Sequence, residues 1–370
     1  MKTKIKDLKQ CYRQLGYEHY HVRVFEDYAY YFQNRAYMNE QRILKIDSNG
    51  NQQALQGDIT MSLFKEYLGT QLTSIQKYYY DGPTYSNIGG ANPGIKTQRM
   101  LGIEFIGVCD IYSDIEVLTL AQKTLSSFDR PYIIEIAVSG FLEKIIGKLH
   151  LDEQEEAQLL DAVAYKKSTV ISDVFSKIED NFLEGYLEFI QMLLTVRGNF
   201  KEVLKKIMVA DNFGLTTEIS DYLQEIAKFL PGDQSEMQLD FSLKNQQNYY
   251  DGIMFRGYLE NISYPILRGG RSRISDVQYT NTVSSVGFSF VLDDKLWTFF
   301  KKEQPKIEYL ILYKEMSLKL VEYLEKLQKK GVSIIVLPQS SMVGNKMDQA
   351  YTRYEHIIYF DKEGAGVTCF

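Results

Sequence analysis

The sequence predicts an α+β protein: an antiparallel sheet flanked by helices, broken by a helical insertion and followed by a small C-terminal α/β unit. Three observations carry this prediction. Two β-rich runs, Ile75 to Tyr80 and Met100 to Val108, are joined through the glycine-proline loop Gly89 to Gly94, the pattern of an antiparallel pair whose loop can cover a ligand. From Phe141 through Leu230 apolar residues recur at helical spacing, and β character resumes at Met237. After Pro305 the chain reads strand, amphipathic helix, strand, an order that calls for parallel pairing.

In chain order, residues 2–15 read as a short helix and Tyr20 to Phe25 as a strand. Arg42 to Gly50, followed by Gln52 to Leu55, is a hairpin, with Asn49-Gly50 supplying its left-handed turn. Helical spacing runs from Thr60 to Leu68, and Asp114 to Ser127 is a helix with acidic residues near its start. Pro131 to Val138 is a strand. The insertion, at about 141–232, holds about four to six helices punctuated by turns such as Arg197-Gly-Asn and closed by Pro231-Gly232. β-structure continues through Phe255, Leu259 and Val283 to Leu292. Ile307 to Tyr313 is a strand, Lys314 to Lys330 a helix capped by Gly331, and Val332 to Leu337 a second strand. The expected domains are therefore 1–304 and 305–370.

Composition narrows the function. A formal charge of −6 gives no basic footprint for RNA. The three cysteines, Cys11, Cys109 and Cys369, form no CxxC pair, which argues against zinc and disulfides and for a reducing cytoplasm. Four dispersed histidines suggest no metal site, although His19 and His21 share a strand face; a solvent-facing pair is the simpler reading. Gly89 to Gly94 lacks the Gly-Lys-Ser/Thr ending of a phosphate-binding loop. No apolar run approaches the roughly 20 residues that span a bilayer, and no cofactor is expected.

Four separated segments carry a resemblance. Leu55 to Thr60, Tyr80 to Pro83 running on to Leu101-Gly-Ile-Glu104, Asn248-Tyr249-Tyr250 and Gly269-Gly270-Arg271 resemble, in that order, the ATP- and histidine-binding core of class II histidyl-tRNA synthetases. The resemblance covers roughly residues 10–300. It implies a class II aminoacyl-tRNA synthetase-like sheet, and it implies roles for six residues. Asp58 and Thr60 would hold the α-ammonium of a bound amino acid, since a buried ammonium needs a compensating charge. Asp58 would equally serve as N-cap of the helix beginning at Thr60. Glu104 would read an imidazole, or stand as a structural carboxylate in the sheet. Tyr249 and Tyr250 match the tyrosine pair of the histidine-specific loop, where Tyr250 would pack against the imidazole; filling a sheet face is the alternative. Arg271 matches the arginine of the Gly-Gly-Arg segment, where glycines let a strand approach the ligand.

The chain departs from the synthetase pattern where that pattern needs cations. Ser86 stands at the motif 2 arginine, Asn245 at the histidine-loop arginine and Asp294 at the motif 3 arginine. Met100 and Ser272 replace two further polar contacts, and Arg23 stands at the motif 1 proline. Charge-assisted contacts to phosphate or a transition state are worth several kcal/mol each, so little aminoacylation would survive. With these departures the chain resembles the regulatory subunit of ATP phosphoribosyltransferase. That resemblance implies a non-catalytic, allosteric subunit built on a synthetase-like dimer. It would join a short catalytic subunit in a hetero-octamer, bind L-histidine in the old pocket and pass feedback inhibition in the first step of histidine biosynthesis. Two alternatives remain: a divergent ligase activating an amino acid with ATP, and a pseudo-synthetase binding module for another partner.

Overall fold

The computed structural model describes residues 2–37, 40–48, 50–69, 75–88, 94–107, 110–178, 182–232, 234–243, 250–275, 282–292, 296, 298, 307–341, 354–361 and 365–369. The chain divides into two compact units, Met1–Asp294 and Lys295–Phe370, a division upstream of the 304/305 boundary read from Pro305.

The first unit opens with α1 (Lys2–Gln14), β1 (Glu18–Tyr20), β2 (Phe25–Asp27), α2 (Tyr28–Gln33), β3 (Lys45–Ser48), β4 (Asn51–Leu55) and α3 (Ile59–Gly69). The long strands β5 (Gln76–Ile88) and β6 (Gly94–Ile106) follow, then α4 (Ile111–Ser126) and β7 (Tyr132–Val138). The insertion holds α5 (Phe141–Ile146), α6 (Glu153–Ala164), α7 (Ser168–Phe175), α8 (Tyr186–Thr195), β8 (Arg197–Asn199), α9 (Phe200–Ala210) and α10 (Thr217–Phe229). The sheet resumes with β9 (Met237–Asp240), β10 (Tyr250–Leu259), β11 (Leu267–Ser275) and β12 (Thr282–Val291).

Among the described residues the main sheet has nine strands in the order β1-β5-β6-β12-β11-β10-β7-β9-β8. Its centre is antiparallel, and parallel pairs occur at β1–β5 and β7–β9. Side chains alternate between its faces. One face packs on α1 and α4: Tyr12 shares a 2.7 Å hydrogen bond with Thr124 and lies 6.5 Å, ring to ring, from Phe288. On the other face Tyr30, Tyr31, Ile59 and Phe64 bury against Tyr80, Ile106, Ile274 and Val283, so α2 and α3 close one end and leave a hollow beside them.

Several expectations shift by a few residues for local reasons. The strand expected over Tyr20 to Phe25 divides, because β1 pairs with β5 while β2 joins a small sheet with β4. The hairpin β3–β4 forms as read, with Gly50 at φ 85°; Asn49 lies outside the described residues. Helix α4 begins at Ile111 rather than Asp114, because Asp110 and Ser113 form a reciprocal capping box. Arg197-Gly-Asn, read as a turn, is instead the edge strand β8 against β9. The glycine-proline loop read at Gly89 to Gly94 lies outside the described residues as far as residue 93.

The second unit contains β13 (Ile307–Tyr313), α11 (Leu318–Lys329), β14 (Ile334–Pro338), β15 (Tyr354–Phe360) and β16 (Ala365–Cys369). The expected β-α-β unit is present, with β13 parallel to β14. It is larger than read: β15 adds parallel to β13 on the other side, and β16 pairs antiparallel with β15. Leu320 and Leu327 of α11 pack on Ile311, Ile358 and Phe360.

Candidate ligand site

The hollow on the α3 face is a cavity of about 670 Å³. That is within the range of sites for small molecules. Strand alternation decides what faces it. Cross-strand partners point to the same side, so Tyr78, Glu104, Gly287 and Gly270 form one row across β5, β6, β12 and β11. Residues two or four positions along the same strands, including Met100, Ser272, Ser285 and Arg268, share that face.

Glu104 lies in a niche at the inner end. Its Oε1 accepts from Thr60 Oγ1 at 2.6 Å and its Oε2 from Ser285 Oγ at 3.0 Å. Ser285 shares a further 2.8 Å hydrogen bond with Ser272. Burial pushes the Glu104 carboxyl up to about 7; the Thr60 and Ser285 hydroxyls oppose that, and nearby Asp58 adds to it. The niche and the larger cavity share Tyr250, Arg268 and Gly269 as walls, so one ligand can occupy both.

The niche needs glycine opposite Glu104. A β-carbon on Gly287 would stand 2.4 Å from Glu104 Oε2 and 2.3 Å from the Ile103 carbonyl. At Gly270 it would meet the Ile253 carbonyl at 2.5 Å and Tyr250 Cδ1 at 2.8 Å. Here the two glycines make room for a buried carboxylate and an aromatic wall.

Asp58 both lines the cavity and caps α3, its Oδ1 accepting from Met61 N at 3.1 Å. Burial raises its pKa, and the amides of Met61 and Thr60 partly offset this. Gln56 steadies the segment by donating to the Asp58 carbonyl at 2.8 Å and to Ser62 Oγ at 2.9 Å.

Of the six residues singled out in the sequence, the structure gathers Asp58, Thr60, Glu104 and Tyr250 around this space. It does not gather Arg271. Sitting one residue from Ser272, Arg271 points through the opposite face to α4, where its guanidinium pairs with the fully buried Asp114. Arg271 Nε donates to Asp114 Oδ1 at 3.2 Å, and the Tyr222 hydroxyl donates to Oδ2 at 2.6 Å. Strand parity thus sets Arg271 on the face opposite the other four residues. Tyr249, Asn245, Asn248 and Asp294 lie outside the described residues.

Ser86 faces the cavity, as do Thr84, Gln98 and Met100. At the motif 2 position the wall therefore carries a hydroxyl and no cation. The cavity is nonetheless not stripped of positive charge: Arg35, Arg42, Arg256 and Arg268 line it. Sequence reasoning missed these four. For two of them a signal was legible: a single arginine interrupts an otherwise apolar strand run at Ile253-Met-Phe-Arg256 and at Ile266-Leu-Arg268.

Elsewhere, the His19 and His21 rings meet edge to face at 4.4 Å. Burial and then His21 lower the pKa of His19. No group of three or more His, Cys, Asp or Glu side chains gathers as a metal site among the described residues. No helix among them is long and apolar enough to cross a membrane.

An antiparallel sheet with a glutamate niche, flanked by helices and interrupted by a helical insertion, defines a class II synthetase-like core. Residues 1–294 match the family model described as histidyl-tRNA synthetase, and the chain belongs to that family. Among its relatives, an ATP phosphoribosyltransferase regulatory subunit of Oceanobacillus iheyensis is 29% identical over 350 residues, covering 91% of this chain and 84% of that protein. A solved ATP phosphoribosyltransferase regulatory subunit/histidyl-tRNA synthetase from Bacillus halodurans superposes with TM-score 0.76 at 17% identity, covering 97% of this chain and 93% of the other. A chain of the ATP phosphoribosyl transferase complex from Thermotoga maritima superposes with TM-score 0.62 at 18% identity, covering 79% of this chain and 97% of that one.

Proposed function

We propose that this protein is the non-catalytic regulatory subunit of ATP phosphoribosyltransferase, acting in the first step of histidine biosynthesis in the cytoplasm. It pairs with a short catalytic subunit, which needs it for activity, and the assembly is a hetero-octamer built on its own synthetase-like dimer. The observation that carries this reading is the combination at one cavity of a retained carboxylate niche around Glu104 and a serine, Ser86, at the motif 2 position. The niche suits an amino acid with a hydrogen-bonding side chain. The wall lacks the motif 2 cation that adenylate formation uses. The relatives' printed names support the same reading.

L-Histidine is the proposed ligand, with its imidazole donating to Glu104 and its ammonium near Asp58 and Thr60. Feedback inhibition then requires that histidine bind the inhibited arrangement of the complex more tightly than the active one. The test is reconstitution. The purified chain adds turnover to a short catalytic subunit, L-histidine removes it, and the chain alone shows no ATP-pyrophosphate exchange. Absence of stimulation, or robust exchange by the chain alone, overturns the proposal.

A further inference from the structure

The insertion leaves the main sheet at Ser139-Gly140, where Gly140, at φ 74°, is the N-cap of α5. The ladder between β7 and β10 ends with Val138 opposite Ile253. Beyond it Ser139 reaches β10 by bonds outside the ladder. Its amide donates to the Gly252 carbonyl at 2.7 Å, and its hydroxyl donates to the Tyr250 carbonyl at 2.8 Å. On the other side of β10 the register with β11 shifts between the pairs Tyr250–Ser272 and Met254–Gly270, with Gly252 at φ 127° inside the irregular stretch. Such a bulge re-aims the side chains beside it. Here the neighbour is Tyr250, which lines both the cavity and the Glu104 niche. Tyr250 packs on Ala137, Leu243 and Met254. Leu243 and Met254 also line a second hollow of about 360 Å³, bounded by Leu142 of α5 and by Leu160 and Ala164 of α6. The ligand cavity and the insertion therefore meet across one layer of side chains.

We propose that Ser139 is a positioning residue that ties the hinge of the insertion to the backbone of Tyr250, so that ligand binding against Tyr250 and the placement of α5 and α6 are coupled. A backbone that has left its ladder must satisfy its carbonyls elsewhere, and Ser139 does this for both Tyr250 and Gly252. A ligand that packs on Tyr250 holds the bulge in one arrangement, and the bulge in turn holds Ser139 at the start of α5. Coupling of this kind is reciprocal: whatever shifts α5 and α6 changes ligand affinity by the same factor that the ligand changes their placement. The insertion thus gives occupancy of a buried cavity a route to the protein surface. The proposal rests on the reading of this cavity as a ligand site, but it holds for any ligand that contacts Tyr250.

The test uses the full-length protein, titrated with L-histidine by calorimetry and followed by amide hydrogen exchange. Ser139→Ala should weaken binding about threefold to tenfold, the size of one lost hydrogen bond. Ser139→Thr, which keeps the hydroxyl, should restore affinity to within about twofold of wild type. In the wild type, L-histidine should slow exchange at residues 250–254 and also in α5 and α6; in Ser139→Ala the slowing in α5 and α6 should be lost. A serine that only stabilises the fold would lower the melting temperature of the Ala variant and leave affinity and exchange pattern unchanged. Equal affinity in wild type and Ser139→Ala, or no slowing in α5 and α6 of the liganded wild type, overturns the proposal. Should Ser139→Ala fail to fold, the wild-type exchange pattern decides alone. If the wild type binds no L-histidine, the histidine reading falls by itself, and exchange without ligand decides this one. Residues 250–254 and α5 should then exchange faster in Ser139→Ala than in Ser139→Thr, and equal rates overturn the coupling.

Discussion

Glu104 and Gly287 face each other across β6 and β12, and the carboxylate occupies the space that any side chain at 287 would need. The niche is therefore a two-residue device: a buried acid and the absence of a side chain opposite it. Gly287→Ala puts a methyl group 2.4 Å from Glu104 Oε2 and 2.3 Å from the Ile103 carbonyl, and the backbone contact cannot rotate away. We expect a loss of about 1–3 kcal/mol in stability. Chemical denaturation measures it, and ligand binding at the niche should fall with it. An unperturbed variant would mean that the strands are not this close.

Glu104 also predicts a pH dependence. Its pKa is raised from the model-compound value of 4.5 to about 7 in the folded state, chiefly by burial. The folded protein then holds a proton that the unfolded chain releases, so stability falls as pH rises from about 4.5 to 7 and levels off above. Glu104→Gln removes this dependence. Relative to wild type, the variant should gain on the order of 1–3 kcal/mol between pH 5 and pH 8. Urea denaturation at the two values checks it, and a difference independent of pH would contradict a buried, proton-holding carboxylate.

Arg271→Ala should act through stability, not through the ligand. It strands Asp114, which is fully buried and keeps the hydrogen bond from the Tyr222 hydroxyl. Removing one partner of a buried pair typically costs about 3–5 kcal/mol. Asp114→Asn in the same background should restore part of it. If Arg271→Ala instead melts like wild type while losing the ligand, its assignment to the α4 face is wrong.

Asp81 joins two elements that the sequence keeps far apart. Arg99 Nε and Nη2 hold its carboxylate at 2.6 and 2.8 Å, and Lys9 of α1 pairs with it from the other side. Burial alone would raise the Asp81 pKa, but these two cations outweigh it and the net shift is downward. The stability it contributes is fully present above the ordinary aspartate range and is lost as pH falls through the lowered folded value. Asp81→Asn should therefore destabilise the protein at pH 7 by about 3 kcal/mol and by less near pH 3. A pH-independent effect would argue against the ion pair.

Much of the architecture was readable because its signals are local. Gly50 marks the β3–β4 turn, apolar spacing marks α3 and α11, and the order of the synthetase-like segments survives in the chain. Asp58 shows how a local reading and a site reading coexist, since one carboxylate caps α3 and lines the cavity. The Arg197-Gly-Asn turn failed because β8 gains its identity only from pairing with β9, about forty residues later in the chain.

The sequence by itself determined which residues alternate along each strand, and hence that Arg271 and Ser272 must part company. Only the tertiary structure decided which of them meets the cavity. That choice depends on α4 burying Asp114 on one face and α3 bringing Thr60 to Glu104 on the other. It likewise decided that Arg35, Arg42, Arg256 and Arg268 share one space. The physical reason is that a period of two fixes relative facing within a strand, whereas convergence of charge across more than two hundred residues is set by long-range strand pairing.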